Sequence, residues 1–318
     1  MGLTVALIAE EATGARALRL LVDRGHRVVA VFSDAARGGI GESVGELAAG
    51  LEIPVRPAAE VRDQALGADL RALELDLLVN VHSLHIVNPE VLGAPTLGSY
   101  NLHPGPLPEC AGLNAPGWAL YEGRRYHGVT LHRMTAGIDE GPIVFVERFE
   151  IGARTTALVL MTECARRGLR LLERLLELAE TGTPIPAERQ DLSRRRWFSG
   201  GPPEGGSLDW DRPASRVVDF VHACDYGPFP SPWGFPRCVA ACGEVAISAA
   251  EAMADRTHAE PGTVQVDGNR GVLVAAADAW VRVDRVELNS ERVSAAKALR
   301  SGERLGPAEA ACRARVDG

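Results

Sequence analysis

Short apolar runs and helical periodicities alternate through the first half of the chain. "LTVALIAE" (3–10) is a continuous apolar run of strand length. "GARALRLLVDRG" (14–25) then spaces its apolar residues as a helix does and stops at Gly25. The alternation repeats, with "HRVVAVFSD" (26–34) as a second strand and "ESVGELAAGLE" (42–52) as a second helix. "DLLVNVHS" (76–83), "GSYNLHP" (98–104), "HGVTLHRM" (127–134) and "VFVERFEI" (144–151) read as further strands. A long helix from about Thr155 to Thr181 carries leucines at core spacing. Strands separated by helices predict an α/β fold, a Rossmann-like and mostly parallel sheet with helices on both faces. Ligands of such sheets gather beyond the C-terminal strand ends. That rule puts His82 and Ser83 on the same rim as Asn101 and His103.

The pattern changes after the long helix. "TGTPIPAERQDLSRRRWFSGGPPEGGS" (181–207) is rich in Pro, Gly, Ser and Arg and reads as a linker. From Leu208 onward come short β-like segments with glycine turns, "EVAIS", "GTVQVDG", "GVLVAA" and "WVRVDRVEL". They predict a small β-barrel or sandwich. The expected organisation is a catalytic domain over 1–190, a linker over 191–207 and a β domain over 208–318. No GxGxxG follows the first strand. A GxGxxxG at Gly39, Gly41 and Gly45 has the wrong spacing, follows the second strand and reads as a loop.

Composition narrows the function classes. No apolar run approaches the roughly 18 residues of a membrane span, and "MGLTVALIAEE" has no basic region ahead of its apolar stretch, so a cytoplasmic enzyme is expected. The net charge is −8, with Lys297 the single lysine, which argues against a nucleic-acid partner without excluding a local basic patch. The six cysteines are scattered and suit reduced thiols. Cys238 and Cys242 have no second pair to complete a zinc site, so no metal is expected.

Three polar residues carry the candidate chemistry. Asn101 offers a carboxamide N–H that donates to a developing oxyanion without titrating. His103 can exchange a proton near neutral pH. Asp139, in the glycine-flanked turn "GIDEG", can hold and charge-stabilise an imidazole. No Ser or Cys stands out as a nucleophile, which favours direct transfer to an external amine over a covalent acyl-enzyme. Read from spacing alone, the same three residues also suit plain turn formation.

The strings "NLHPGPLPECAG" and "HGVTLHRMTAGIDEGPIV" resemble the formyltransferase family that uses N10-formyltetrahydrofolate. The shared blocks are Asn101 and His103, Leu107–Pro108 with Gly112, Gly128–Thr130, and Asp139–Gly141. "LDWDRPASRVVDFVHACDYGPFPSPWGFP" and "PGTVQVDGNRGVLVAAADAWVRVDRVEL" are similar to the C-terminal domain of methionyl-tRNA formyltransferase-like proteins, an OB-like barrel. The resemblance implies Asn101, His103 and Asp139 as catalytic residues. Folate would lie between His82, Ser83, Leu84, Ile86 and Val87 and the turn holding Gly137 and Ile138. Pro106, Leu107, Pro108, Asn114 and His132 would face the acceptor, although His132 also reads as a core position. Trp118 reads as core packing rather than a stacking platform.

The acceptor is where the chain departs from the family's tRNA enzymes. Those usually carry Arg before the loop glycine, where this chain has Ala111. From Leu208 onward 13 Arg and Lys stand against 16 Asp and Glu, and the basic cluster "SRRRW" (193–197) lies in the expected linker. A small primary amine or a carrier-protein-bound aminoacyl group, as in natural-product biosynthesis, is therefore the expected acceptor. Methionyl-tRNA formyltransferase, an amino-sugar-nucleotide N-formyltransferase and a formyltetrahydrofolate hydrolase are the rivals. The hydrolases typically carry a regulatory domain ahead of the catalytic one, whereas here the first strand begins at Leu3.

Overall fold

A computed structural model describes residues 2–34 and 43–308. Its first elements are β1 (Thr4–Ala9), α1 (Glu11–Asp23), β2 (Arg27–Phe32), α2 (Val44–Gly50), β3 (Val55–Arg56), α3 (Leu66–Ala72) and β4 (Leu77–Val81). There follow α4 (Pro89–Leu92), β5 (Gly98–His103), β6 (Ala111–Gly112), α5 (Ala115–Tyr121), β7 (Tyr126–Arg133), β8 (Ile143–Glu150), α6 (Ala157–Thr181) and β9 (Trp197–Phe198). Gly39 and Gly41 of the GxGxxxG lie outside the described residues, and Gly45 is buried in α2. The chain divides into two compact units, residues 1–115, 126–150 and 161–198 against 116–125, 151–160 and 199–318. Each unit is therefore assembled from segments that are discontinuous in sequence.

The first unit is built on a seven-stranded sheet in the order β3-β2-β1-β4-β5-β7-β8. Strands β3 through β5 run parallel, and β7 and β8 return antiparallel along the far edge. The mostly parallel sheet expected from the alternating pattern is present. The strand order reverses between β1 and β4, the place where such sheets open a crevice at their C-terminal ends. Both faces are covered. Leu102, Val129 and Leu131 pack with Leu171, Leu172, Leu175 and Leu176 of α6 on one side. Ile8, Phe32 and Leu78 pack with Leu66 and Leu70 of α3 and Val91 of α4 on the other.

Alternation along β5 and β7 separates core from chemistry. Leu102 and Leu131 face the α6 side, so Asn101 and His103, one residue either way, project to the opposite face. Antiparallel register sets Asn101 opposite His132 and His103 opposite Thr130.

The expected linker is partly folded into the first unit. β9 pairs in parallel with β6, and Glu188 bridges to Ile143 through both backbone groups, at 2.8 and 2.9 Å. Its proline and glycine content marks turns, yet Arg196 N donates to Pro108 O and Arg196 O and Phe198 O accept from Ala111 N and Leu113 N of the first unit.

The second unit carries α7 (Ala214–Cys224), β10 (Arg237–Ala240), β11 (Gly243–Arg256), β12 (Val264–Asp267), β13 (Gly271–Ala275), β14 (Ala279–Leu288), β15 (Glu291–Ser294), α8 (Ala295–Ala298) and β16 (Gly306–Pro307). The sheet is antiparallel, ordered β12-β13-β14-β11-β10-β16 with β15 on β14, an OB-like half-barrel as the resemblance implies and within the barrel-or-sandwich class the short segments predict. Trp118 sits in an aromatic cluster of this unit, edge-on to Tyr121 and Trp233 with ring centroids 5.8 and 5.2 Å away. Among the described residues no helix is long and apolar enough to cross a membrane.

Candidate active site

β5 and β7 deliver the site from one face, and a loop and a turn close it. After His103 the chain folds back on itself, held by Thr130, whose hydroxyl donates to Gly105 O at 2.8 Å and accepts from Leu107 N at 3.1 Å. Cys110 O then lies 2.6 Å from His103 Nε2. A carbonyl can only accept, so Nε2 carries a proton and the neutral ring keeps its lone pair on Nδ1. The ring of His132 has the opposite tautomer. Its Nδ1 donates to Arg133 O at 3.1 Å, which leaves Nε2 to accept from Asn101 Nδ2, also at 3.1 Å. Asn101 thus spends one N–H on His132.

Asp139 lies between the two imidazoles. Its Oδ1 is 3.7 Å from His103 Nδ1 and 3.5 Å from His132 Nε2, while Oδ2 accepts from Gly112 N at 2.9 Å. The distance to His103 exceeds that of a hydrogen bond. Asp139 acts on His103 through charge, and Cys110 O fixes the ring. Burial alone would raise the Asp139 carboxyl, but the neighbouring His103 and His132 and the Gly112 N–H outweigh it and hold the carboxyl well below the usual carboxylate range. Burial pushes His103 below its ordinary value, against the upward pull of Asp139.

The turn that presents Asp139 is tight. Asp139 adopts φ +57°, and a Cβ on Gly141 would meet Arg133 O at 1.8 Å. Gly112 has φ +95°, and a Cβ there would stand 2.3 Å from Phe198 O, where β9 crosses β6. Only glycine fits at either place.

Residues 6–176 match the Formyl transferase family and residues 202–304 match its C-terminal domain. The chain belongs to the formyl transferase family. A methionyl-tRNA formyltransferase of Anaeromyxobacter dehalogenans is 31% identical over 307 residues, covering 94% of this chain and 97% of that protein. The fold is shared with an N-formyltransferase from Helicobacter canadensis solved with folinic acid and dTDP-3-aminofucose, at TM-score 0.65 and 16% identity, over 88% of this chain and 98% of that one. HypX from Aquifex aeolicus, solved with tetrahydrofolic acid, matches at TM-score 0.58 and 18% identity, over 92% of this chain and 46% of that one. This formyl transferase is accordingly a one-carbon transferase.

The other residues expected at the site divide by exposure. His82, with φ +64°, ends β4 with Nδ1 3.8 Å from Glu11 Oε2. Asn80 closes the next turn, accepting from Ser83 N at 3.1 Å and donating to Ser83 O at 3.3 Å. Leu84 and Ile86 are 65% and 60% exposed, whereas Val87 is buried in the core beside α3 and α4. Ile138 is exposed, and Gly137 O accepts from the Thr135 hydroxyl at 3.3 Å. Pro106, Leu107 and Pro108 are buried, so their side chains shape the loop from within and present no surface to an acceptor. Asn114 is half-buried at φ +52°.

Sequence reasoning missed the backbone groups of Cys110 and Gly112, which leave no trace in residue identity. It also passed over Gln190, whose Nε2 donates to Asp139 O at 2.9 Å and Gly141 O at 2.6 Å. Among the described residues no group of three or more His, Cys, Asp and Glu is arranged to hold a metal. Cys238 does not offer a thiolate, since burial pushes its thiol up to about 12.

Proposed function

We propose that this chain moves a formyl group from N10-formyltetrahydrofolate to the primary amine of a small or carrier-protein-tethered acceptor. The observation that carries the reading is the four-residue cluster of Asn101, His132, Asp139 and His103. The folate donor supplies an activated formyl carbon. The exposed apolar side chains of Leu84, Ile86 and Ile138, with the polar 80–83 turn, suit an amphipathic pterin. The second N–H of Asn101 donates to the formyl oxygen as it gains negative charge. His103 Nδ1, the free lone pair of that ring, takes the proton the amine loses as the new C–N bond forms. It returns that proton to the departing folate nitrogen as the old C–N bond breaks. Asp139 offsets the positive charge held meanwhile on His103. Bringing two substrates together contributes further, up to roughly 7–11 kcal/mol.

Support for a small acceptor comes from charge and from Ala111. The net charge is −8, and Ala111 is fully buried, so an arginine at this position would displace the β6–β9 pairing. A tRNA acceptor is the second reading, favoured by the 31% identical methionyl-tRNA formyltransferase. The test is a mass-spectrometric screen for formylated products with N10-formyltetrahydrofolate supplied. The panel holds free amino acids, carrier-loaded aminoacyl groups, amino-sugar nucleotides and methionyl-tRNA. Faster formylation of methionyl-tRNA than of every small amine would overturn the acceptor assignment. No transfer to any amine, with donor hydrolysis instead, would overturn transfer itself.

A further inference from the structure

We infer that residues 188–198 form a strap that positions Asp139, and that Gln190 is its positioning residue. The inference rests on the catalytic reading of Asp139 given above.

Three successive hydrogen bonds run from the strap to the carbonyls of one turn. Arg195 Nη2 donates to Ile138 O at 3.0 Å, and Gln190 Nε2 donates to Asp139 O at 2.9 Å and to Gly141 O at 2.6 Å. The strap also holds the loop on the other side of the carboxylate. Arg196 N donates to Pro108 O at 3.3 Å, Ala111 N to Arg196 O at 3.0 Å and Leu113 N to Phe198 O at 2.9 Å. Gly112, between those contacts, supplies the N–H that Asp139 Oδ2 accepts. One segment thus grips both the turn that bears the carboxylate and the loop that binds it.

The chemistry of position 190 argues against simple filling. Gln190 Oε1 is buried and has no hydrogen-bond partner among the described residues. An apolar side chain of similar length would fill the space without leaving that atom unpaired. Turning the amide over would set Oε1 against two carbonyl oxygens, so its orientation is fixed by the two bonds it donates. Those bonds fall on both sides of Glu140, directly after a non-glycine residue held at φ +57°. A left-handed aspartate persists where its surroundings over-determine it. Gln190 is the side chain that does so here.

Gln190→Met keeps the length and removes both donors, and Gln190→Glu keeps the shape and donates only while protonated. With 13C-labelled histidine, the His103 resonance is assigned against His103→Gln and titrated. In Gln190→Met the His103 pKa falls by at least about 0.5 unit as Asp139 withdraws. Turnover falls about tenfold, with KM for the folate donor unchanged within twofold. The Gln190→Glu to wild-type activity ratio is highest in acid and declines as the new carboxyl ionises. A Gln190→Met protein with an unmoved His103 titration and full turnover overturns the inference. Should Gln190→Met not fold, a flat Gln190→Glu ratio across pH does the same. Full turnover in Asp139→Asn would defeat the catalytic reading instead, and the His103 titration would still decide the strap.

Discussion

Asp139 lies under a nearly closed surface, where the Gly112 N–H donates to Oδ2 and either imidazole, once protonated, would face Oδ1 with its charge. That arrangement makes stability sensitive to acid. A carboxyl held below its unfolded value contributes stability that is present above about pH 4 and is lost as pH falls toward its depressed folded value. His103, also depressed, acts in the same sense. Its neutral form is favoured in the fold, so its contribution is present above about pH 6.5 and is lost as pH falls below that. Thermal melts of Asp139→Asn between pH 3 and 7 (about the range spanned by both groups) should show a shallower acid slope than the parent. In the same variant the His103 imidazole should titrate lower still, because the charge that raises it is gone. Asn101→Ala should lower turnover by about 10²–10³ if its free N–H meets the oxyanion, measured by single turnover on the acceptor found in the screen. Asn101, His103 and Asp139 were legible as a constellation because their side chains carry the chemistry. His132 was less so, since alternation with apolar neighbours gives a core histidine and a site histidine the same pattern.

At the scale of elements, the longer strands announced themselves through apolar runs, and α6 through its leucine periodicity. β6 and β9 could not, because two residues contain no period. The segment 188–198 reads as part of a linker from its composition for a related reason. Proline, glycine and serine report local turns, and nothing in them says whether the turns fold onto a neighbour. Gly112→Ala tests the β6–β9 contact directly. The added methyl meets both an unfavourable φ and the Phe198 carbonyl, so a loss of about 1–3 kcal/mol is expected in urea unfolding. Turnover should fall further than that loss explains, because the same residue donates to Asp139.

For the molecule as a whole, charge is the informative quantity. A protein that neutralises six to ten phosphates loses roughly 10³–10⁵ in affinity between 50 and 200 mM salt. With a net charge of −8, and if the acceptor is the small amine proposed above, kcat/KM here should change by less than about threefold over that range. A steep decline would point to a polyanionic substrate. The antiparallel return of β7 has a different consequence, one that concerns which changes of chain length the molecule can survive. Asn101 and His132 meet because two strands are counted against each other to the residue. Deleting one residue within either would turn that strand's member of the pair to the opposite face of the sheet and leave the other without its partner. Deleting two would restore its direction and set each beside a stranger, so tolerated length variation should be confined to the connections outside these two strands.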